Sequence, residues 1–395
     1  MKILMVHPHD LFSPEEPWAV RVRMFAVEFV KQGYRVTIIY FPLAASPKSA
    51  FTDSAGIEYI PLSRKTGVIS FLRNLACFYR AAGGAALIHF QKCFYHASLP
   101  ALCAAYARNI PVHYDWDDWE LQIFLDRPDK LRCRSTLWLP AFFLSLLEAL
   151  LPRLCETVSV SSESLRHLAL RRGVRPERLV KAPVGADIDK FHPRVSGMRI
   201  RERYCIDLPL LLYVGQLHGS QYAELFIRAA KIIVTKDGPV KCMVVGTGSR
   251  LSELKRLVTQ LGLEEYVIFT GAVPHDEVPL YIAAADIVVA CFQDNRITRS
   301  KSPLKIVEYL AGGKPIVASG IGEVKYMLGG AGVITKPGDV EDLAGGIRAL
   351  LNNVPLRQRL SAAARRRAEQ LFTWRHTAEA LLRIYIFAGG GGSAP

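Results

Sequence analysis

Short apolar runs alternate with stretches of helical periodicity along most of the chain. The segment KILMVHP, from Lys2, reads as a buried strand. A Pro-rich loop follows, then residues 21–32 place apolar positions at helical spacing before Gly33 and a second apolar run, VTIIYF. This is one β-α-β unit. Further strands are predicted at ALIHFQ near residue 87, PVHYDW near residue 112 and TVSVSS near residue 157, with helical stretches between them. That alternation implies a parallel sheet with crossover helices. After the Asp- and Pro-marked stretch 187–193 the pattern restarts with LLLYVG, a helix over 223–234, CMVVGTG, YVIFTG, DIVVACF, PIVAS and GVIT. The predicted fold class is α/β, with two Rossmann-like domains, residues 1–186 and 187–370, facing across a cleft. Ligands of such sheets bind at the carboxyl ends of the strands.

The length of 395 residues suits two domains, each with its own core, and a 50% hydrophobic, 22% charged composition is ordinary for globular chains. Only 389–395 (GGGGSAP) reads as a flexible tail. Cys77, Cys93, Cys103, Cys133, Cys155, Cys205, Cys242 and Cys291 stand singly, without a C-x-x-C pair, so free thiols are expected. The opening MKILMVHP has no signal-peptide pattern, and a cytoplasmic location follows as an expectation. A net charge of +14 suits nucleic acid, an anionic membrane surface or phosphorylated small molecules. Its basic clusters at 166–181 and 357–367 lack interleaved aromatics, which argues against nucleic acid. The apolar stretch 137–154 is interrupted by Pro140, Glu148 and Pro152 and is too short to cross about 30 Å of hydrocarbon. It reads as a buried helix, the alternative being a helix lying in a membrane interface.

The densest chemistry lies in SPLKIVEYLAGGKPIVAS, residues 302–319. Ser302 suits an N-cap, Pro303 a first helical position, and Gly312 with Gly313 a stop. The first-turn amides of Leu304 and Lys305 would form an anion site suited to a diphosphate. Glu308, among apolar neighbours, needs a polar partner, which a ribose diol would supply. An ordinary capped amphipathic helix is the plainer reading of the same residues.

Together these blocks resemble the retaining glycosyltransferase family 4, of GT-B fold, over nearly the whole chain. The 302–319 segment is similar to the family's donor helix and following strand, with Glu308 at the position that holds the donor ribose. GAVPHDEVPLYIAAADIVV resembles its nucleobase loop, with backbone near Val273 reading the base; VVGTGSRLSELKRL resembles its Gly-x-Gly turn, with Gly246. The resemblance also implies that residues 371–388, with Trp374, form a helix returning to the first domain.

Three departures stand out. The family's first glutamate of Glu-x7-Glu is replaced by Ser300, a loss shared by a subset resembling SPLKxxEYxA. Its Arg and Lys after the first strand of the second domain are replaced in GQLHGSQ, after Gly215, by Gln216 and Gln221. Departing diphosphate gains charge, so another cation is expected from Arg296, Arg299, Lys301 or Lys305. A solvated basic loop is the alternative for each. The family's Gly-Gly turn is matched by Pro17 and Trp18. In HYDWDDWE, Asp115, Asp117 and Asp118 form a D-x-D string, but a helix N-terminus and cations make a metal clamp unnecessary. Asp117 or Asp118 is expected to contact sugar or acceptor, with capping of the next helix as the alternative. His7, His9 and Asp10 follow the first strand.

The expected activity is hexosyl transfer from a nucleoside-diphosphate sugar to a hydroxyl, with retention implied by the resemblance. No metal or other cofactor is expected. The acceptor is a saccharide or lipid-linked molecule in cell-envelope polysaccharide or glycoconjugate synthesis, at an anionic membrane surface where the protein is peripheral. A nucleotide-sugar epimerase and a non-catalytic nucleotide-sugar-binding homologue are the alternatives.

Overall fold

A computed structural model describes residues 1–13, 19–43, 49–65, 67–126, 134–218 and 222–388. Pro17, Trp18, Cys133, Gln221 and the tail 389–395 lie outside the described residues. The chain forms two compact units, Met1–Pro183 with Trp374–Pro395, and Val184–Thr373.

The first unit contains β1 (Lys2–Val6), α1 (Val20–Lys31), β2 (Arg35–Tyr40), β3 (Phe51–Thr52), β4 (Glu58–Pro61), α2 (Val68–Ala81) and β5 (Ala85–Gln91). It continues through α3 (Tyr95–Arg108), β6 (Val112–Trp116), α4 (Glu120–Leu125), α5 (Arg134–Leu154), β7 (Thr157–Val160), α6 (Glu163–Arg171) and β8 (Leu179–Lys181). The sheet order is β3-β4-β2-β1-β5-β6-β7-β8, and its pairings are parallel except for β3 with β4. With two residues, β3 is too short to announce itself by periodicity. Helix α1 forms because Val22, Phe25, Ala26 and Phe29 repeat at helical spacing and bury one face. Ser162 caps α6 by accepting the Leu165 amide.

The second unit contains α7 (Met198–Arg203), β9 (Leu210–Val214), α8 (Ala223–Lys236), β10 (Lys241–Val245), α9 (Leu251–Gln260), β11 (Val267–Gly271), α10 (Val278–Ala284) and β12 (Ile287–Ala290). Then come α11 (Arg296–Ser300), α12 (Leu304–Ala311), β13 (Ile316–Ser319), α13 (Val324–Leu328), β14 (Val333–Thr335), α14 (Val340–Leu351) and α15 (Val354–Leu371). The sheet is parallel, in the order β11-β10-β9-β12-β13-β14. Helix α16 (Trp374–Ala388) belongs to the first unit and packs on α1, where Trp374 and Tyr385 meet Phe25 and Phe29.

Two local expectations need correction. The helix of the 302–319 segment starts at Leu304, with Pro303 in extended backbone (φ −72°, ψ 116°) and no side-chain cap. Ser302 is therefore not the N-cap. A residue before proline is pushed to extended backbone, and the Ser302 hydroxyl instead accepts the Val184 amide at 3.3 Å. The stop is as expected: Gly313 is left-handed (φ 61°), and the Lys314 and Gly313 amides bond back to Tyr309 and Leu310. The apolar stretch near residue 140 is helix α5, running through Pro140 and Pro152, and its outer side is exposed rather than buried. Among the described residues no helix is long and apolar enough to cross a membrane.

Candidate functional site

The strand order of the second unit reverses between β9 and β12, the switch point at which open parallel sheets hold ligands. Helix α12 is fixed to these strands by Tyr309, whose hydroxyl accepts the Val214 amide at 2.9 Å and reaches the Val289 carbonyl at 3.5 Å. Lys305, one turn earlier on α12, thereby enters the switch point. Its ammonium lies 4.0 Å from the Tyr213 ring centroid and 5.9 Å from that of Phe292. The residue is half-buried, but its Nζ is buried and has no hydrogen-bond partner among the described residues. A side-chain carbon added to Gly215 would come within 2.6 Å of that Nζ, so the ammonium holds its present place only beside a residue without one.

Burial pushes the Lys305 ammonium down to about 8, with Lys301 adding repulsion and Cys291 and Glu308 opposing. The nearby Cys291 thiol is itself pushed up to about 12 by burial, so at neutral pH it is no anion for Lys305. A buried cation without a fixed counter-charge, at the positive end of a helix, is poised for an anion from outside. The other three candidate cations differ. Arg299 is spent on Asp294, at 2.6 and 2.9 Å, and Arg296 is exposed. Lys301 lies close enough to lower the Lys305 pKa. Ser300 is buried, and its hydroxyl donates to the Ile297 carbonyl of its own helix at 2.9 Å.

Glu308 is 4% exposed and accepts the His275 Nε2 proton at 2.7 Å. His275 follows β11, so this pair ties the loop containing Val273 to α12. His275 was not singled out in the sequence, although it stands two residues after Val273. The Gly-x-Gly turn is explained by packing within the unit. A Cβ on Gly246 (φ 141°) would lie 1.9 Å from the Gly215 carbonyl oxygen, and one on Gly248 would lie 2.4 Å from the Leu217 carbonyl. Gln216 is half-buried between these contacts. The glycines thus permit the loops after β9 and β10 to touch.

In the first unit the order reverses between β1 and β5. There His7 Nδ1 donates to Gln91 Oε1 at 2.8 Å, and Gln91 Nε2 donates to Asp117 Oδ2 at 2.6 Å. Asp117, Asp118 and Glu120 bring oxygens within 4.8 Å of one another, a grouping able to hold a cation. That cation is Lys92. Its ammonium lies 3.2 Å from Asp117, 3.3 Å from Asp118 and also against Glu120. The three carboxylates therefore do not cap α4, which starts after Trp119 without a side-chain cap. Lys92 itself has left-handed backbone (φ 66°), uncommon for a residue with a side chain.

Three carboxyls around one ammonium leave excess negative charge, which favours the protonated form of one of them. Burial raises the Asp117 carboxyl, against Lys92 and with help from Asp118, Asp115 and Glu120, to about 7. Burial works against the Lys92 charge, but the three carboxylates hold its pKa well above the usual range. Asp115, two residues before Asp117, has a different environment. Burial opposes its charge, yet the Arg21 guanidinium, at 2.7 and 2.8 Å, holds it well below the carboxylate range. Asp10 accepts the Phe12, Ser13 and Leu43 amides and so shapes the loop after β1. Lys92 and Gln91 were not foreseen; the only signal was a Gln-Lys pair ending an apolar strand.

Solved structures match nearly end to end. Anabaena HepE in complex with UDP-glucose superposes with a TM-score of 0.74 at 19% identity, over 97% of this chain and 98% of that one. Sucrose-phosphate synthase from Thermosynechococcus elongatus gives 0.74 at 17% identity, over 99% and 100%. The fold is GT-B. The family "Glycosyl transferase 4-like domain" matches residues 18–185, and "Glycosyl transferases group 1" matches residues 201–367 of this GT-B chain. Among curated relatives, a D-inositol 3-phosphate glycosyltransferase of Thermomonospora curvata is 28% identical over 249 residues, 58% of this chain and 56% of the relative. An MMP alpha-(1->4)-mannosyltransferase of Mycolicibacterium hassiacum is 27% identical over 250 residues, 62% and 56%. The chain spans about half the length of the curated relatives it matches. These matches relate the chain to the glycosyltransferase group 1 and 4-like families.

Proposed function

We propose that this GT-B protein transfers a sugar from a nucleoside-diphosphate sugar to a hydroxyl of a saccharide or lipid-linked acceptor, with retention, in polysaccharide or glycoconjugate synthesis. Lys305 carries the reading: a buried ammonium with no counter-ion among the described residues, at a helix N-terminus and a strand switch point, is matched by a diphosphate. In this reading Lys305 and the Leu304 and Lys305 amides hold the diphosphate, replacing the cations lost at Gln216 and Gln221. As the glycosidic bond breaks, charge grows on the leaving diphosphate, and a water-poor cation acts more strongly there than in the ground state. Glu308, oriented by His275, takes the ribose hydroxyls, and backbone near Val273 reads the base. Asp117 and Asp118, held by Lys92 and Gln91, contact sugar or acceptor.

The UDP-glucose complex of HepE, and mannosyl transfer by the Mycolicibacterium relative, support a hexose donor. The test is a thermal-shift screen against nucleoside diphosphates and their sugars, followed by a transfer assay with the stabilising donor. Stabilisation by one nucleotide series, lost in Glu308→Ala and Lys305→Met, is expected. A protein that binds none of them, or releases a free epimerised sugar nucleotide, overturns the reading. The anomeric configuration of the product decides retention.

A further inference from the structure

Helix α5 is apolar on its outer side as well as its inner one. Leu144, Glu148 and Leu151 are buried on one side, whereas Leu139, Phe142, Phe143, Leu146, Leu150 and Leu154 are between 39% and 53% exposed. At about 100° per residue Leu139, Phe142, Leu146 and Leu150 fall opposite the buried three, and Phe143 and Leu154 flank them. A surface helix of a soluble domain normally turns polar residues outward. The apolar surface continues onto α2, where Val68, Ile69, Leu72 and Tyr79 are exposed, two of them by 75% and 84%. The helices form one layer: α2 and α3 share a shallow apolar groove lined by Leu72, Leu75, Tyr79, Cys103 and Ala107. Tyr106 of α3 donates to the Leu154 carbonyl of α5 at 2.9 Å. Phe78, Ala101 and Leu144, from α2, α3 and α5, enter the same core.

Charge on this layer has one sign. Helices α2 and α3 contain no acidic residue, and the only one in α5, Glu148, is 0% exposed. Arg73 and Arg80 on α2 and Arg153 on α5 are exposed. A second copy of this chain, docking by a two-fold contact, would set these arginines against their own counterparts. An anionic lipid surface accepts both features, with apolar side chains in the acyl boundary and guanidinium groups at the phosphates. We propose that the α2, α3 and α5 layer seats the first unit on an anionic phospholipid surface, with α5 lying in the plane of the interface. This inference goes beyond the donor reading and does not depend on it.

The test is co-sedimentation of the full chain with phosphatidylcholine vesicles and with vesicles that also contain phosphatidylglycerol. Binding to the anionic vesicles, weakening as salt is added, is expected. Phe142→Glu/Phe143→Glu is expected to lower partitioning at least about tenfold. Arg73→Ala/Arg80→Ala is expected to lower it on anionic vesicles alone. Both pairs are exposed, and unchanged circular-dichroism melts establish that the variants fold. Absence of binding to anionic vesicles, or equal binding by the folded phenylalanine variant, overturns the proposal. So does a dimer in solution that Phe142→Glu/Phe143→Glu makes monomeric while the wild type ignores vesicles.

Discussion

Replacing Lys305 by methionine separates stability from ligand binding. Methionine keeps the length of the side chain and removes its charge. The ammonium is depressed from 10.5 to about 8, chiefly by burial, and 2.5 units at 1.36 kcal/mol each amount to about 3 kcal/mol of cost below pH 8. The contact with the Tyr213 ring, 4.0 Å from the centroid, offsets about 1–2 kcal/mol of this. Lys305→Met without ligand is therefore expected to be more stable at pH 7 by about 1–2 kcal/mol, or roughly 2–8 °C in melting temperature for a domain of this size. Between pH 8 and 10.5 the unfolded chain binds more protons than the native one, so the wild type gains stability as pH rises. The variant lacks that gain, and its advantage shrinks at pH 10. A nucleoside diphosphate at a hundred times its dissociation constant stabilises the wild type by about 2.7 kcal/mol, reversing the order of the two proteins. Thermal unfolding followed by circular dichroism, at both pH values and with and without the nucleotide, reads all of these quantities. A Lys305→Met protein that is less stable than wild type without ligand, or still shifted by nucleotide, refutes the reasoning.

Glu308→Ala and His275→Ala are each expected to weaken nucleotide-sugar binding by about 1–3 kcal/mol in calorimetry. The double variant should be little worse than Glu308→Ala, because the histidine acts through the carboxylate. Gly246→Ala is expected to destabilise the second unit by on the order of 3 kcal/mol or more in urea unfolding, since its Cβ would meet a backbone oxygen at 1.9 Å. Lys92→Met should cost about 3–5 kcal/mol at neutral pH, and less at pH 5, where the freed carboxyls take protons. Asp117, raised from 3.8 to about 7, binds a proton in the native chain that the unfolded chain has released, so wild-type stability falls as pH rises between those values. Asp117→Asn should flatten that part of the stability-against-pH curve.

The two parallel α/β sheets, the helix with Glu308 and its Gly312-Gly313 stop follow from the sequence, because hydrogen-bonded strands, turns and caps are decided over a few neighbouring residues. The short strand β3 escapes that logic, since Phe51 and Thr52 are too few to show a period. Ser302 had the chemistry of an N-cap, but the following proline sends its backbone elsewhere and Val184, distant in sequence, takes its hydroxyl. Four basic residues in and beside the 302–319 segment look alike in one dimension. Only the strand order, which reverses between β9 and β12, buries Lys305 and leaves Arg296 in solvent. The same holds for Asp115 and Asp117, two residues apart, one ionised by Arg21 and the other raised by its neighbours. Helix α5 had enough apolar residues to be buried, yet only one of its sides meets the core. Local sequence thus determined which elements form, while charge state, counter-ions and exposure were decided by topology, because these depend on partners brought from far along the chain.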